Sequence, residues 1–305
     1  MGSLRYDLMK LSGSPVGAKI HVVEFYAEWG HGVKVSAAPD PPGIMVYYKR
    51  WREMKVDVIV APGFLKKGDL RGSLCAVIDV LRATSTIITA LVSGAAEVRP
   101  CLTVEEAKKG IAKLPRGSYL LGGEDMGKNL PGSDLGNSPL EYMTEEVVRG
   151  KVIYTYTSNG TGAIRKAYAG SGQPVYIAAL VNVSAASAAL LKAATGAQGK
   201  DIAIVCAGRY GGPSTEDFFC AGMMIDLIAR GLRKRGIEIQ LGENASAASD
   251  LAAANRGNGL GVLTSSEHGR FLESSGFSDD LIFASRIDLY DVVPVFDGKR
   301  VALPQ

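Results

Sequence analysis

The sequence predicts an α/β fold of three layers, α/β/α, on a mostly parallel sheet, and three features carry that prediction. Short apolar runs rich in Val and Ile recur along the chain, a polar turn follows each, and the turn opens a helix with its apolar residues on one face. The run 74–78 sets the pattern. It is too short and too β-branched for a helix, and its unbroken apolarity suits a strand buried on both faces. Thr84 or Ser85 is expected to cap the next helix, in which Ile87, Ile88, Leu91 and Val92 share a face and Gly94 lies just past the end.

Taken in order, residues 1–53 differ from the rest of the chain. They hold both tryptophans and two of the three histidines, and Pro41-Pro42-Gly43 interrupts them. The alternating strand 54–60 then opens on Met54, so 1–53 reads as an extension ahead of a 54–305 domain, with Met54 a candidate start. Thr103 and Glu106 form a capping box for a helix carrying Val104, Ala107, Ile111 and Leu114. Strand 119–121 runs into Gly122-Gly123-Glu124, read as a tight turn. Beyond a loop rich in Gly, Asn, Pro and Asp, Ser138 and Glu141 repeat the capping box, with Pro139 at the first helical position.

Strands 151–157, 175–178 and 201–206 each lead into a helix. Ser158-Asn159-Gly160-Thr161 opens the first, Asn182 or Ser184 caps the second, and Ser214 opens the third, which ends near Gly236. Helical segments at 245–255 and 266–274 and a hairpin turning at Asp297-Gly298 complete the pattern. Strand–loop–helix units at Asp79, Asn159 and Arg209 suggest an internal duplication.

Composition narrows the function. A 305-residue chain with 47% hydrophobic and 21% charged residues can bury a substantial core, and 7% aromatic content argues against a carbohydrate or single-stranded nucleic-acid platform. A net charge of +3 is too small to imply a polyanionic partner, so no nucleic acid is expected. There is no run of about 18 apolar residues and no apolar signal core at the start, so no membrane partner and a cytoplasmic location are expected. The four cysteines lie far apart without a CxxC pair, which disfavours a zinc cage or disulfide framework. A homo-oligomer is left open.

The chemistry is expected at the polar turns 79–84, 124–137, 155–161 and 209–217, which would share one edge of a parallel sheet. Helix N-termini there attract phosphate or carboxylate, Arg82 and Arg209 can add bidentate contacts, and Thr84 and Thr161 can donate to a phosphate. The same turns carry Asp79, Glu124, Asp134, Glu216 and Asp217. Acids beside an anion site repel the ligand unless a cation lies between them, so these five are candidate Mg²⁺ ligands. Asp79, Glu124, Glu216 and Asp217 are the catalytic candidates, and Arg82, Asn159, Thr161 and Arg209 bind a small anionic phosphorylated substrate. Plainer readings stand beside these: Asp79 as a helix cap, Glu216 and Asp217 as acids in a first helical turn, Asn159 as turn chemistry, Cys206 as a core residue, and His268 as packed or solvated.

The ordered set Asp79-Val-Leu-Arg-Ala-Thr84, Gly122-Gly-Glu124, Gly136-Asn-Ser-Pro139, Ser158-Asn-Gly-Thr161, Asn182, Cys206-Ala-Gly208 and Glu216-Asp217 resembles the 2-phosphosulfolactate phosphatases of ComB type. The resemblance runs from about Met54 to the final hairpin, and it departs from the family at Tyr156, where a threonine is usual, and in residues 1–53. It implies the α/β fold of that family and Mg²⁺-dependent hydrolysis of 2-phospho-3-sulfolactate to sulfolactate and phosphate, a step towards coenzyme M. It also adds Asn137, Gly160 and Asn182 to the substrate-binding set. Rival readings are a phosphatase for another small phospho-acid and a non-catalytic protein that binds an anionic metabolite.

Overall fold

In the computed structural model, residues 53–196 and 200–304 are described. The strands are β1 (Glu53–Ile59), β2 (Leu74–Ile78), β3 (Glu97–Pro100), β4 (Tyr119–Asp125), β5 (Lys128–Asn129), β6 (Val152–Tyr156), β7 (Val175–Ala178), β8 (Ile202–Cys206), β9 (Glu238–Leu241), β10 (Val295–Phe296) and β11 (Val301–Ala302). The helices are α1 (Ala83–Val92), α2 (Val104–Ile111), α3 (Glu145–Val148), α4 (Gly160–Ser171), α5 (Val183–Ala194), α6 (Thr215–Lys234), α7 (Glu243–Ala254), α8 (Gly259–Ser265), α9 (Glu267–Ser274) and α10 (Ser278–Ala284). The extension expected for 1–53 lies outside the described residues except for Glu53, which belongs to β1 and pairs with Glu238. No helix among the described residues is long and apolar enough to cross a membrane.

All eleven strands join one sheet in the order β5-β4-β6-β3-β11-β10-β7-β2-β8-β1-β9. It contains two parallel blocks, β4-β6-β3 and β7-β2-β8-β1-β9. The hairpin β10–β11 sits between them, antiparallel to β7 on one side and to β3 on the other. Direction therefore reverses at each of these pairings, and the two blocks point opposite ways. The expectation of one shared edge of a parallel sheet is corrected accordingly. Turns from the opposed blocks nevertheless meet, since Tyr210 N, after β8, donates to Asn159 Oδ1, after β6, at 3.2 Å.

Helices cover both faces, and the burial pattern reflects it. Every residue of β2 and β8 is buried, as an unbroken apolar run requires. On one face, Val56, Val58, Ala76, Ile78 and Ile204 pack with Leu190 of α5, Met224 and Ile228 of α6, and Ala248 of α7. On the other, Cys75, Val77, Ile177 and Val205 from one block and Val98, Leu120 and Ile153 from the other enclose α1 and α4. Tyr154 and Leu121 carry α2 on the outer side. All four cysteines are buried and unpaired, and burial pushes the Cys206 thiol well above its ordinary range.

Local signals behaved unevenly. Thr103 caps α2 by accepting from Glu106 N at 3.0 Å. Ser138 caps only a short 3-10 turn, Pro139–Tyr142, and Glu141 turns to the Gly136 N–H. Neither Thr84 nor Ser85 caps α1, because both lie inside its first turn, and Asp79 does so instead through Ala83 N at 3.1 Å.

Candidate active site

The site is assembled from the ends of β2, β4, β6 and β8. At the end of β2, Asp79 and Thr84 close the turn on each other. The Thr84 hydroxyl donates to Asp79 O (2.8 Å) and accepts from Asp79 N (2.9 Å). Thr84 is fully buried and so occupied, which makes it a support of the turn and removes it as a phosphate donor. Asp79 Oδ1 accepts from Ala83 N, while Oδ2 faces Gly160. A Cβ on Gly160 would stand 2.5 Å from both Asp79 Oδ2 and Ala83 Cβ, so only glycine lets the N-terminus of α4 seat against Asp79.

Glu124 lies within strand β4, which corrects the tight turn expected there. The strand passes so close to β6 that a Cβ on Gly123, at φ 113°, would meet Tyr156 O at 1.9 Å. Three donors hold the Glu124 carboxylate: Ser158 N on Oε1 at 2.8 Å, with Gly127 N at 2.7 Å and Ser158 Oγ at 3.2 Å on Oε2. Asn159 Oδ1 accepts from Tyr210 N at 3.2 Å and ties the turn after β6 to the turn after β8. The Thr161 hydroxyl accepts from Thr157 N and donates to Thr157 O, so it too is a brace within its turn.

Both arginines are held by carboxylates from the helices after α7. Arg82, 4% exposed, places Nη1 2.5 Å from Asp280 Oδ2 and lies 4.2 Å over the Phe277 ring. Ser138 Oγ donates to the other Asp280 oxygen at 2.6 Å. Arg209 Nη1 is 2.7 Å from Glu267 Oε1, and its guanidinium sits over Tyr210 and Phe271 at 4.7 and 5.0 Å. Among the described residues, each arginine thus uses one nitrogen on a carboxylate and keeps the rest of its fork free.

These groups line a narrow recess of about 20 Å³. Asp79, Arg82, Glu124, Asn137, Asn159 and Arg209 line it, joined by Ser158, Tyr210, Phe271 and His268. Burial raises the Asp79 pKa to about 6, against the opposing pull of His268 and with a further push from Glu124 and Glu216. Asp217 is also pushed well up, by burial first and then by Asp79 and Glu216.

Several sequence candidates fall outside the recess. Asp217 accepts from Val80 N at 2.8 Å and Gly208 N at 3.0 Å, stapling the turns after β2 and β8 together. Asp134 accepts from Leu121 N at 2.8 Å. Asn182 is fully buried, with its amide engaged by Ala179 N, Ile177 O and Val292 O. Glu216, 2% exposed, has its Oε1 3.4 Å from His268 Nδ1, behind the recess wall. His268, read from sequence as packed or solvated, is 18% exposed and lines the recess. Asp280 was missed as well. Its one visible signal is the acidic pair Asp279-Asp280 in the first turn of α10, a pattern any helix welcomes.

Comparison with known proteins identifies the family of the chain. A family profile described as 2-phosphosulpholactate phosphatase matches residues 60–299. The chain is 39% identical over 235 residues to a protein of Symbiobacterium thermophilum, covering 77% of this chain and 96% of that one. It is 35% identical to a protein of Clostridium beijerinckii, covering 81% and 98%, and 34% identical to one of Clostridium botulinum, covering 81% and 99%. All three carry the name probable 2-phosphosulfolactate phosphatase. By the extent of these matches, the chain belongs to the 2-phosphosulfolactate phosphatase family.

Proposed function

We propose that the chain hydrolyses 2-phospho-3-sulfolactate to 3-sulfolactate and phosphate with Mg²⁺ as cofactor, a step of sulfolactate and coenzyme M formation. One observation supports this above the others: two anchored arginines and two carboxylates face one recess. The substrate carries phosphate, carboxylate and sulfonate, and the free edges of Arg82 and Arg209 suit such oxyanions.

No group of three or more His, Cys, Asp or Glu side chains able to hold a metal occurs among the described residues. Mg²⁺ fits this sparse donor set, because it commonly takes one or two carboxylates and completes its shell with water and substrate phosphate. Asp79 and Glu124 would hold it, since both line the recess. Bound there, the ion would neutralise phosphoryl charge and acidify water.

The protein's own groups supply the rest. Arg82 orients the phosphoryl group while a water oxygen bonds to phosphorus and the bond from phosphorus to the C2 oxygen breaks. Asp79 takes the proton that the water loses. His268, whose Nδ1 is turned to Glu216, has Nε2 left to protonate the departing alkoxide. Glu216 positions that ring.

A phosphate-release screen with phosphosulfolactate, phospholactate and phosphoglycerate tests the substrate. Turnover that is fastest on the first, requires Mg²⁺ and falls at least 10³-fold in Asp79→Asn and Glu124→Gln is expected. Mg²⁺ should also raise the Tm of the unmutated protein more than that of Asp79→Asn. Binding without turnover would favour the non-catalytic reading. Acid quench under single-turnover conditions followed by borohydride reduction separates direct attack from attack by Asp79, because only the second forms an acyl phosphate, which reduction converts to homoserine.

A further inference from the structure

A second concentration of charge shares no lining residue with the recess. It is a cleft of about 700 Å³ lined by residues of β3, α2 and the turn of the β10–β11 hairpin. Glu97, 5% exposed, organises it: Oε1 is 2.5 Å from Arg99 Nε and Oε2 is 2.8 Å from Arg300 Nη1. Arg99 also donates to the Tyr154 hydroxyl at 2.7 Å. Arg165 Nη1 donates to Glu106 Oε1 at 3.0 Å and to Pro100 O at 3.2 Å. Three guanidinium groups are therefore fixed in place, each with N–H donors left over among the described residues.

Helix α2 forms a wall seated directly on Tyr154, since a Cβ on Gly110 would come within 1.9 Å of that ring. Lys109 of this helix and Lys113, two residues past its end, stand on the same side. They line the cleft with Lys299, and none of these three forms a salt bridge among the described residues. The lining thus carries six cationic side chains and three carboxylates, Glu97, Glu106 and Asp297. The excess of three equals the formal net charge of the whole chain, +3. Like charges confined in one cleft repel each other, and an anion bound among them relieves that repulsion.

We propose that this cleft is a second anion site, taking a small molecule of nucleotide size with two or more phosphate groups. Its volume lies within the range of pockets for small ligands. Preset guanidinium forks match phosphate oxygens in pairs, and flexible lysines add charge without demanding one geometry. The proposal stands independently of the reaction assigned to the recess.

Calorimetric titration of the full chain with inorganic tripolyphosphate and with ATP, near 0.15 M salt, tests it. Saturable binding of at least one of them is expected, weakened tenfold or more in Lys109→Glu/Lys113→Glu, with phosphate release from phosphosulfolactate unchanged. Both lysines are exposed, so the double variant retains its fold. Equal affinity for the two compounds would identify the polyphosphate chain as the recognised part, and tighter ATP binding would add a contact to the nucleoside. Absence of saturable binding, or binding that survives the double variant and is lost in Arg209→Gln, overturns the proposal.

Discussion

At the scale of single residues, the site is a set of charges whose ionisation opposes stability. Asp79 has its folded pKa raised to about 6 from an ordinary 3.8, so the folded state holds the proton more tightly than the unfolded chain does. The stability this contributes is present below the ordinary carboxylate pKa and is lost as pH rises through about 6. Ionised Asp79 therefore costs on the order of 2–4 kcal/mol at neutral pH in the metal-free protein. Asp79→Asn is expected to raise Tm at pH 7.5 while abolishing turnover, and the gain should vanish by about pH 4 in thermal melts across that range. Arg82 poses the reverse case. Asp280→Ala leaves a buried guanidinium without its carboxylate, and equilibrium urea unfolding should register a loss of roughly 3–5 kcal/mol. Arg209 is different, because its partner Glu267 is 80% exposed, and Glu267→Ala should change stability little.

At the scale of elements, the tight approach of β4 to β6 sets the position of Glu124. Gly123→Ala must displace the Tyr156 carbonyl and occupy a positive φ, and a loss of roughly 2–4 kcal/mol is expected in the same unfolding assay. Gly162→Ala is the control. Nothing stands within 4 Å of its added Cβ, and the change should be neutral or stabilising by up to about 1 kcal/mol. Elements buried on both faces were legible in the sequence, as β2 and β8 show, since their runs are continuously apolar. Strand β3 was not, because Glu97 and Arg99 break its apolarity and Pro100 ends it, and β9 was not, because Glu238 and Gln240 alternate outwards at the sheet edge. The site divided in the same way. Asp79, Arg82, Glu124 and Arg209 stood out as polar groups at strand ends, whereas His268 reaches the recess, and Asp280 reaches Arg82, only through long-range packing of α9 and α10. Asp280 lies 198 residues from the arginine it holds, a separation no local pattern records.

At the scale of the whole molecule, the hairpin β10–β11 is the part on which the rest depends. Among the described residues it is the only link in the sheet between the block that supplies Glu124 and Asn159 and the block that supplies Asp79 and Arg209. Deleting residues 292–304 is expected to abolish phosphate release and to replace one cooperative unfolding transition by broad, separate ones in circular dichroism. The position of the hairpin also bears on when the protein becomes active during its own synthesis. The ribosome makes both blocks before it makes the strand pair that joins them. Until then the growing chain exposes the flanks of β3 and β7, two unpaired edges of the kind that recruit foreign strands. Hydrolytic capacity therefore arrives late, with the closing of that gap, and a chain stalled short of it carries every recess residue from Asp79 to Leu272 without a working pocket.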